Sequence, residues 1–293
     1  MTKYFEAKTG TGKIQIRDDS PSIWLKSKTK LSQYFVRTVD IRLRFLGSDS
    51  YETIVDNWRR SYTVPALTQY SMHIYELPED ALCYIGNPVD NLNVHVVCNH
   101  TEVTVWGQTK YEKEYQGSKK YVGIMNCTKS QANNLDVYVY SQGKITGSSS
   151  SGLECYNSQG EKIFDSNRPP LKVVSIVNHK HCNYANGNTL SDYPSSYTSI
   201  YKSVQKSEKN IAVWVSMAGT VHTNSQTYDA YGRLVEEGYQ VGPCLTTVAT
   251  LSKSSVLFRT IDFIAFKDQS VIDLMLMLKY NKTMASVIDV TNY

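Results

Sequence analysis

A chain of 293 residues with 20% charged side chains and a formal charge of +4 has room for about two domains of ordinary size, and it lacks the Lys/Arg block that nucleic-acid binding requires. The opening MTKYFEAKTG has no apolar run of the secretory type, and VIDLMLML at 271–278 is broken by Asp273, well short of the roughly 20 apolar residues of a spanning helix. Neither secretion nor membrane insertion is expected.

Tyr occurs 22 times and Thr, Val, Ile and Ser are frequent, a composition suited to pleated, half-buried strands. In chain order, the first strands are expected near 3–8 and 13–17, around the turn Gly10-Thr11-Gly12, where glycine supplies positive φ. YFVRTVDIRLRF at 34–45 alternates Phe35, Val39, Ile41, Leu43 and Phe45 with Arg37, Asp40, Arg42 and Arg44, the pattern of a half-buried strand. YETIVDNWRRSY at 51–62 places Ile54, Val55 and Trp58 at helical spacing and predicts a short helix or turn on the flank. Further strands are expected at 71–76, 92–98, 102–106, 121–125 and 135–140, with Asn99-His100 as a hairpin turn.

SQGKITGSSSSG at 141–152 has the composition of a flexible connector, and the domain boundary is placed at 146–151. Beyond it, strands are expected at 152–157 and 161–165 around Asn157-Ser158-Gln159-Gly160, then at 171–177, 211–218, 233–237, 255–266, 271–279 and 285–290. The polar stretch 178–199 reads as a long loop. The expected fold is mainly β: two tandem antiparallel β-sandwich-like domains, 1–145 and 152–293, with few short helices.

The two halves open alike. Glu6, Gly12 and Pro21 fall on Glu154, Gly160 and Pro169 at one constant offset, close to half the chain, while Phe5, Ile16, Ile23 and Leu25 face Leu153, Phe164, Leu171 and Val173. Such spacing marks an internal duplication.

Signals for chemistry are few. His179, His181 and Cys182 lie together in VNHKHCNY, but a zinc site takes four ligands and their spacing matches no zinc signature; they read as polar loop residues. There is no G-x-S-x-G elbow, and GTG at 10–12 lacks the helix and Lys-Ser/Thr of a phosphate loop. Glu76, Glu79, Asp80, Asp229, Glu236 and Glu237 are available for glycoside cleavage, which needs a carboxylate pair, but they fall in turns and on solvated strand faces. No catalytic, cofactor-binding or metal-ligating residue is assigned. Tyrosines at 184, 193, 197, 201, 228, 231 and 239 fall in loop-like stretches and suit contacts with proteins or sugars. The sequons at Asn99, Asn126 and Asn281 read as accidental in a chain with no expected secretion. Six cysteines at 83, 98, 127, 155, 182 and 244 form no CxxC pair, the pattern of free thiols in a reducing compartment.

GLECYNSQGEKIFDSNRPPLKVV at 152–174 joins an apolar strand, an Asn-x-x-Gly turn and a second strand ending in Phe-Asp-Ser. YFEAKTGTGKIQIRDDSPSIWLK at 4–26 follows the same phrase more loosely, with TGTG as its turn. This phrase resembles a family of bacteriophage tail structural proteins of fibre, tip or adaptor type. The resemblance implies a virion tail protein that is assembled in the host cytoplasm, binds other tail proteins and copies of itself, and engages a host surface receptor or glycan. It implies no catalytic residues. The alternative reading is a tail-associated polysaccharide depolymerase or glycosidase.

Overall fold

Alternation sends successive side chains to opposite faces of a sheet, and segments of this kind dominate the chain. A computed structural model describes residues 4–9, 12–17, 23–45, 50–55, 61–106, 113–142, 145, 152–168, 170–180, 200–206, 209–217, 221–224, 227–228, 234–236, 241–264 and 282–293. The first half contains β1 (Tyr4–Thr9), β2 (Gly12–Arg17), β3 (Ile23–Lys30), β4 (Phe35–Phe45), β5 (Tyr51–Val55), β6 (Ser61–Pro65), β7 (Thr68–Leu77), β8 (Leu82–Gly86), β9 (Val94–Trp106), β10 (Lys113–Met125), helix α1 (Lys129–Asn133) and β11 (Asp136–Gln142). The second contains β12 (Glu154–Tyr156), β13 (Lys162–Asp165), β14 (Val173–Lys180), β15 (Ile200–Gln205), β16 (Ile211–Met217), β17 (Val221–Asn224), β18 (Thr227–Tyr228), β19 (Leu234–Glu236), β20 (Val241–Leu251), β21 (Ser255–Ile264) and β22 (Lys282–Asp289).

The fold is mainly β, with two large antiparallel sheets. Two local expectations are corrected. Residues 51–55 are strand, neither helix nor turn: β5 pairs with β6 from Tyr51↔Pro65 to Val55↔Ser61, because a short run rich in Tyr, Thr, Ile and Val gains more from a ladder than from a turn or two of helix. Asn99-His100 is not a turn, since β9 runs through it, with Asn99 facing Tyr121 and His100 facing Lys120 on β10. The expected strand at 271–279 and the turn at 267–270 lie outside the described residues. The short helix α1, unforeseen, starts at a capping box in which Thr128 Oγ1 accepts from the Gln131 N–H at 3.3 Å and Gln131 Oε1 accepts from the Thr128 N–H at 2.8 Å.

Both halves of the chain contribute strands to both sheets. One sheet runs β3-β11-β8-β16-β22-β14, so each half supplies three strands in the same order and the halves meet at β8–β16. In the other, β7-β10-β9 of the first half matches β15-β21-β20 of the second, and they meet at β9–β20. Strands from both sides of 146–151 continue across both sheets, and the cluster buried between the sheets draws on both, from Leu31 and Val137 to Phe258 and Val287, so the expected boundary at 146–151 does not separate two cores among the described residues. Fusion supplies partners to backbone groups that an open edge would leave unpaired.

β4 breaks the symmetry. It pairs with β7 along one side, and at its end with β21 through Ile261↔Phe45 and Phe263↔Leu43. Because β21 also pairs with β20, strands β4, β7, β10, β9, β20 and β21 form a closed ring. Leu43, Met72, Ile74, Met125, Val248 and Ile261 fill its interior. On the outside of the ring, Val94, Val96, Val122, Ile124, Leu251 and Phe258 pack against Cys83, Ile85, Val137, Val139, Val213 and Val287 of the six-stranded sheet. The opposite face of that sheet carries Tyr84, Tyr138, Tyr140 and Ile288, with Leu171, Trp214 and Tyr293 against them. No described helix is long and apolar enough to cross a membrane.

Candidate functional site

The segment carrying the duplicated phrase, 152–172, folds as its residues dictate. Asn157 Oδ1 accepts from the N–H groups of Gln159 at 3.0 Å and Glu161 at 2.8 Å, the local bonding that makes Asn a turn residue, and Gly160 takes φ +75°. At the hairpin mouth, Ser166 Oγ accepts from the Leu153 N–H at 2.8 Å and Asp165 Oδ1 accepts from the Asn167 N–H at 2.9 Å. The Phe-Asp-Ser ending is therefore a closure device. Gly152 sits at φ +120°, where a Cβ would collide with the Ser166 side chain, so glycine is required there.

Glu154 and Asp165 face each other across β12 and β13, two carboxylates that would repel. Lys162 lies between them, ion-paired to Glu154 and 3.6 Å from Asp165. The bond to Glu154 holds the Lys162 ammonium above its ordinary value, and the Tyr156 phenol, which donates to the same carboxylate at 2.5 Å, is likewise pushed up. These ionisable groups are thus committed to one another and to the hairpin. Burial raises the free thiol of Cys155, which lowers its reactivity.

From the hairpin the chain runs back over the body. Arg168 stacks 4.4 Å above the Trp24 ring, the Leu171 N–H donates to Ile23 O at 3.3 Å, and the Asp289 N–H donates to Lys172 O at 3.0 Å. Tyr293 Oη donates to Pro170 O at 2.8 Å. Consecutive residues therefore grip β3 and β22, which lie toward opposite edges of the six-stranded sheet. Outward, the hairpin presents Leu153 and Tyr156, 51% and 54% exposed.

The first hairpin has a different register. Glu6 faces Gln15, whereas its counterpart Glu154 faces Asp165, so the second turn is longer and brings a carboxylate opposite Glu154 that the first lacks. This pairing with Lys162 was unread in the sequence, since it depends on the register shift between Cys155 and Tyr156.

The other candidates do not converge. His179 lies on β14 opposite Thr283, while His181 and Cys182 fall outside the described residues; among the described residues no group of three potential ligands is placed to hold a metal. Glu76 is on β7, Glu79 and Asp80 are exposed in the turn after it, and Glu236 is on β19; Asp229 and Glu237 are outside. Of the tyrosines, 201 and 228 are on strands and 184, 193, 197, 231 and 239 are outside. Cys83 and Cys127 are free, their thiols pushed up by burial to about 11. No protein-family model, no curated protein and no solved structure matches the chain.

Proposed function

We propose that this chain is a bacteriophage virion tail structural protein, acting as a fibre, tip or adaptor component in tail assembly and host attachment. It works by adhesion, without bond-breaking, on other tail proteins, on copies of itself and on a host surface receptor or glycan. The single observation that supports this reading is the segment 152–172: its phrase resembles that family, and its polar residues are spent on holding a rigid hairpin that leaves Leu153 and Tyr156 exposed. An exposed apolar and aromatic pair on a braced two-stranded sheet suits a protein interface. Tail components assemble with cyclic symmetry, so copies should associate through one repeated surface.

Sedimentation of the full chain, alone and with the Leu153→Glu/Tyr156→Glu variant, tests the reading. A closed oligomer that the double variant dissociates, with its melting temperature unchanged, is the expected result. A chain that stays monomeric and binds neither a tail partner nor cells overturns it.

A further inference from the structure

The second hairpin arranges its ionisable groups in more detail than charge balance asks for. β12 and β13 set Glu154 opposite Asp165 and Tyr156 opposite Lys162. Residues two apart on a strand share a face, and so do residues directly opposite each other, so all four side chains lie on one side of the hairpin. Lys162 Nζ touches one carboxylate oxygen of Glu154, Oε1, while Tyr156 Oη donates to the other, Oε2, at 2.5 Å. A second carboxylate, Asp165, lies 3.6 Å from the same amine through Oδ2. The side chains of Lys162 and Asp165 are 6% and 2% exposed, so bulk water is largely kept from both. An amine, a carboxyl carbon, a hydrogen-bond donor on that carboxyl and a second carboxylate on that amine are the parts of an acyl transfer.

We propose that Lys162 and Glu154 join as an amide, a self-formed cross-link between β12 and β13. Nζ attacks Cδ of Glu154 and the bond from Cδ to Oε2 breaks. Two of the three ammonium protons leave with that oxygen as water, and the third stays on the amide nitrogen; no oxidant or other reactant enters. Asp165 relays protons from nitrogen to oxygen, and the Tyr156 hydroxyl stabilises the charge that grows on Oε2. The ion pair holds Lys162 charged, so the reacting form is the one in which Asp165 has taken a proton from Nζ. Condensation is unfavourable between free molecules in water, but fixed neighbours react as though present at about 10⁵–10⁸ M. It also removes two opposite charges from a shielded place. Asp165 keeps Arg168, whose Nε is 3.8 Å from Oδ2, so the product is balanced too.

A two-stranded hairpin gains little stability from its own ladder, and an amide from residue 154 to residue 162 closes this one covalently. The first hairpin is an internal comparison. At the same offset it has Ile14 in place of Lys162 and Gln15 opposite Glu6, so it lacks both the amine and the facing carboxylate at those positions. The cross-link acts on no other molecule, does not depend on the tail reading and stands with any function for the chain.

The mass of the full chain under denaturing, reducing conditions tests this, followed by fragmentation of its proteolytic peptides. The parent should be lighter by one water than its sequence, with the loss carried by two peptides joined at 154 and 162. Lys162→Arg, which keeps the charge without the nucleophile, should show its full mass. Glu154→Gln should lose one ammonia in place of water, since the same amide then forms from a side-chain amide. In a time course of cell-free synthesis, Asp165→Asn should close roughly 100-fold more slowly than the parent, the usual worth of a proton relay. A parent of full mass in fresh and aged protein alike would make the contact an ordinary ion pair and overturn the proposal. So would a water loss that maps elsewhere or persists in Lys162→Arg, and closure of Asp165→Asn at the parent's rate would overturn the relay.

Discussion

The layer between the two sheets and the interior of the ring are separated by a single sheet, and the same strands line both. β9 sends Val94 and Val96 to the layer and His95 to the interior; β21 sends Phe258 one way and Arg259 the other. The layer is filled by aliphatic side chains against Phe258 and Tyr75, and where a polar atom enters it is satisfied, as Tyr75 Oη is by Asn133 Oδ1 at 2.9 Å. The interior holds an imidazole, a guanidinium and Tyr70 among its apolar residues. A sheet sandwiched between two layers is dry on that side and depends on tight packing. A small ring of strands is closed by its own side chains, and here polar rings take part in that filling beside the apolar ones.

The sharpest break between the two regions is Phe258→Ala. Phe258 is fully buried in the layer, and its truncation should cost about 3–5 kcal/mol, measured by denaturant unfolding. A cost under about 1 kcal/mol would show that the layer collapses around the gap and would erase the contrast.

Next comes pH. His95 is held neutral down to about 4 by burial and by Arg259, from an ordinary value of 6.5; Tyr70 faces it from β7 and Thr250 from β20. Between those values the unfolded chain takes up a proton that the folded chain does not, so stability from this group is complete above 6.5 and is lost as pH falls toward 4, by about 3 kcal/mol. Unfolding curves at pH 7.5, 5.5 and 4.5 should show this slope, and His95→Gln should flatten it; an unchanged slope in the variant would assign the loss to other groups.

A smaller effect is expected at Gly123, where a Cβ would lie 2.5 Å from Met72 Sδ in the ring's interior. Gly123→Ala should cost about 1–3 kcal/mol by overpacking, and a neutral result would show that Met72 has room to move. The smallest effect lies on the outer face of the six-stranded sheet. There Tyr84→Phe breaks the 2.8 Å bond between Tyr84 Oη and Ser286 Oγ and should cost about 1 kcal/mol; thermal melting resolves it, and no shift would mean that Ser286 finds another partner.

Much of this was legible in the residues. The alternation in 34–45 located β4, and Asn157-Ser158-Gln159-Gly160 located the second hairpin, because both signals are local: a period of two and a residue that bonds its own turn. Ile54, Val55 and Trp58 misled, since so short an apolar set fits helix and strand equally and only the ladder to β6 decides. Asn99-His100 misled for the same reason: a polar pair marks a turn in isolation, but the hydrogen bonds to Lys120 and Tyr121 carry the strand across. In the hairpin, Asp165 and Ser166 were legible as a repeated phrase, whereas the place of Lys162 between Glu154 and Asp165 waited on register.

By itself the amino-acid sequence determined the strand composition and many of the strand positions, since these follow from side-chain period and from turn chemistry within a few residues. Only the tertiary structure decided that β8 meets β16, that β9 meets β20 and that β4 closes a ring with β21. The physical reason is that alternation specifies which face a side chain takes but not which strand lies alongside: backbone donors and acceptors are the same in every strand, and the partner is chosen by which arrangement covers both faces and leaves the fewest open edges.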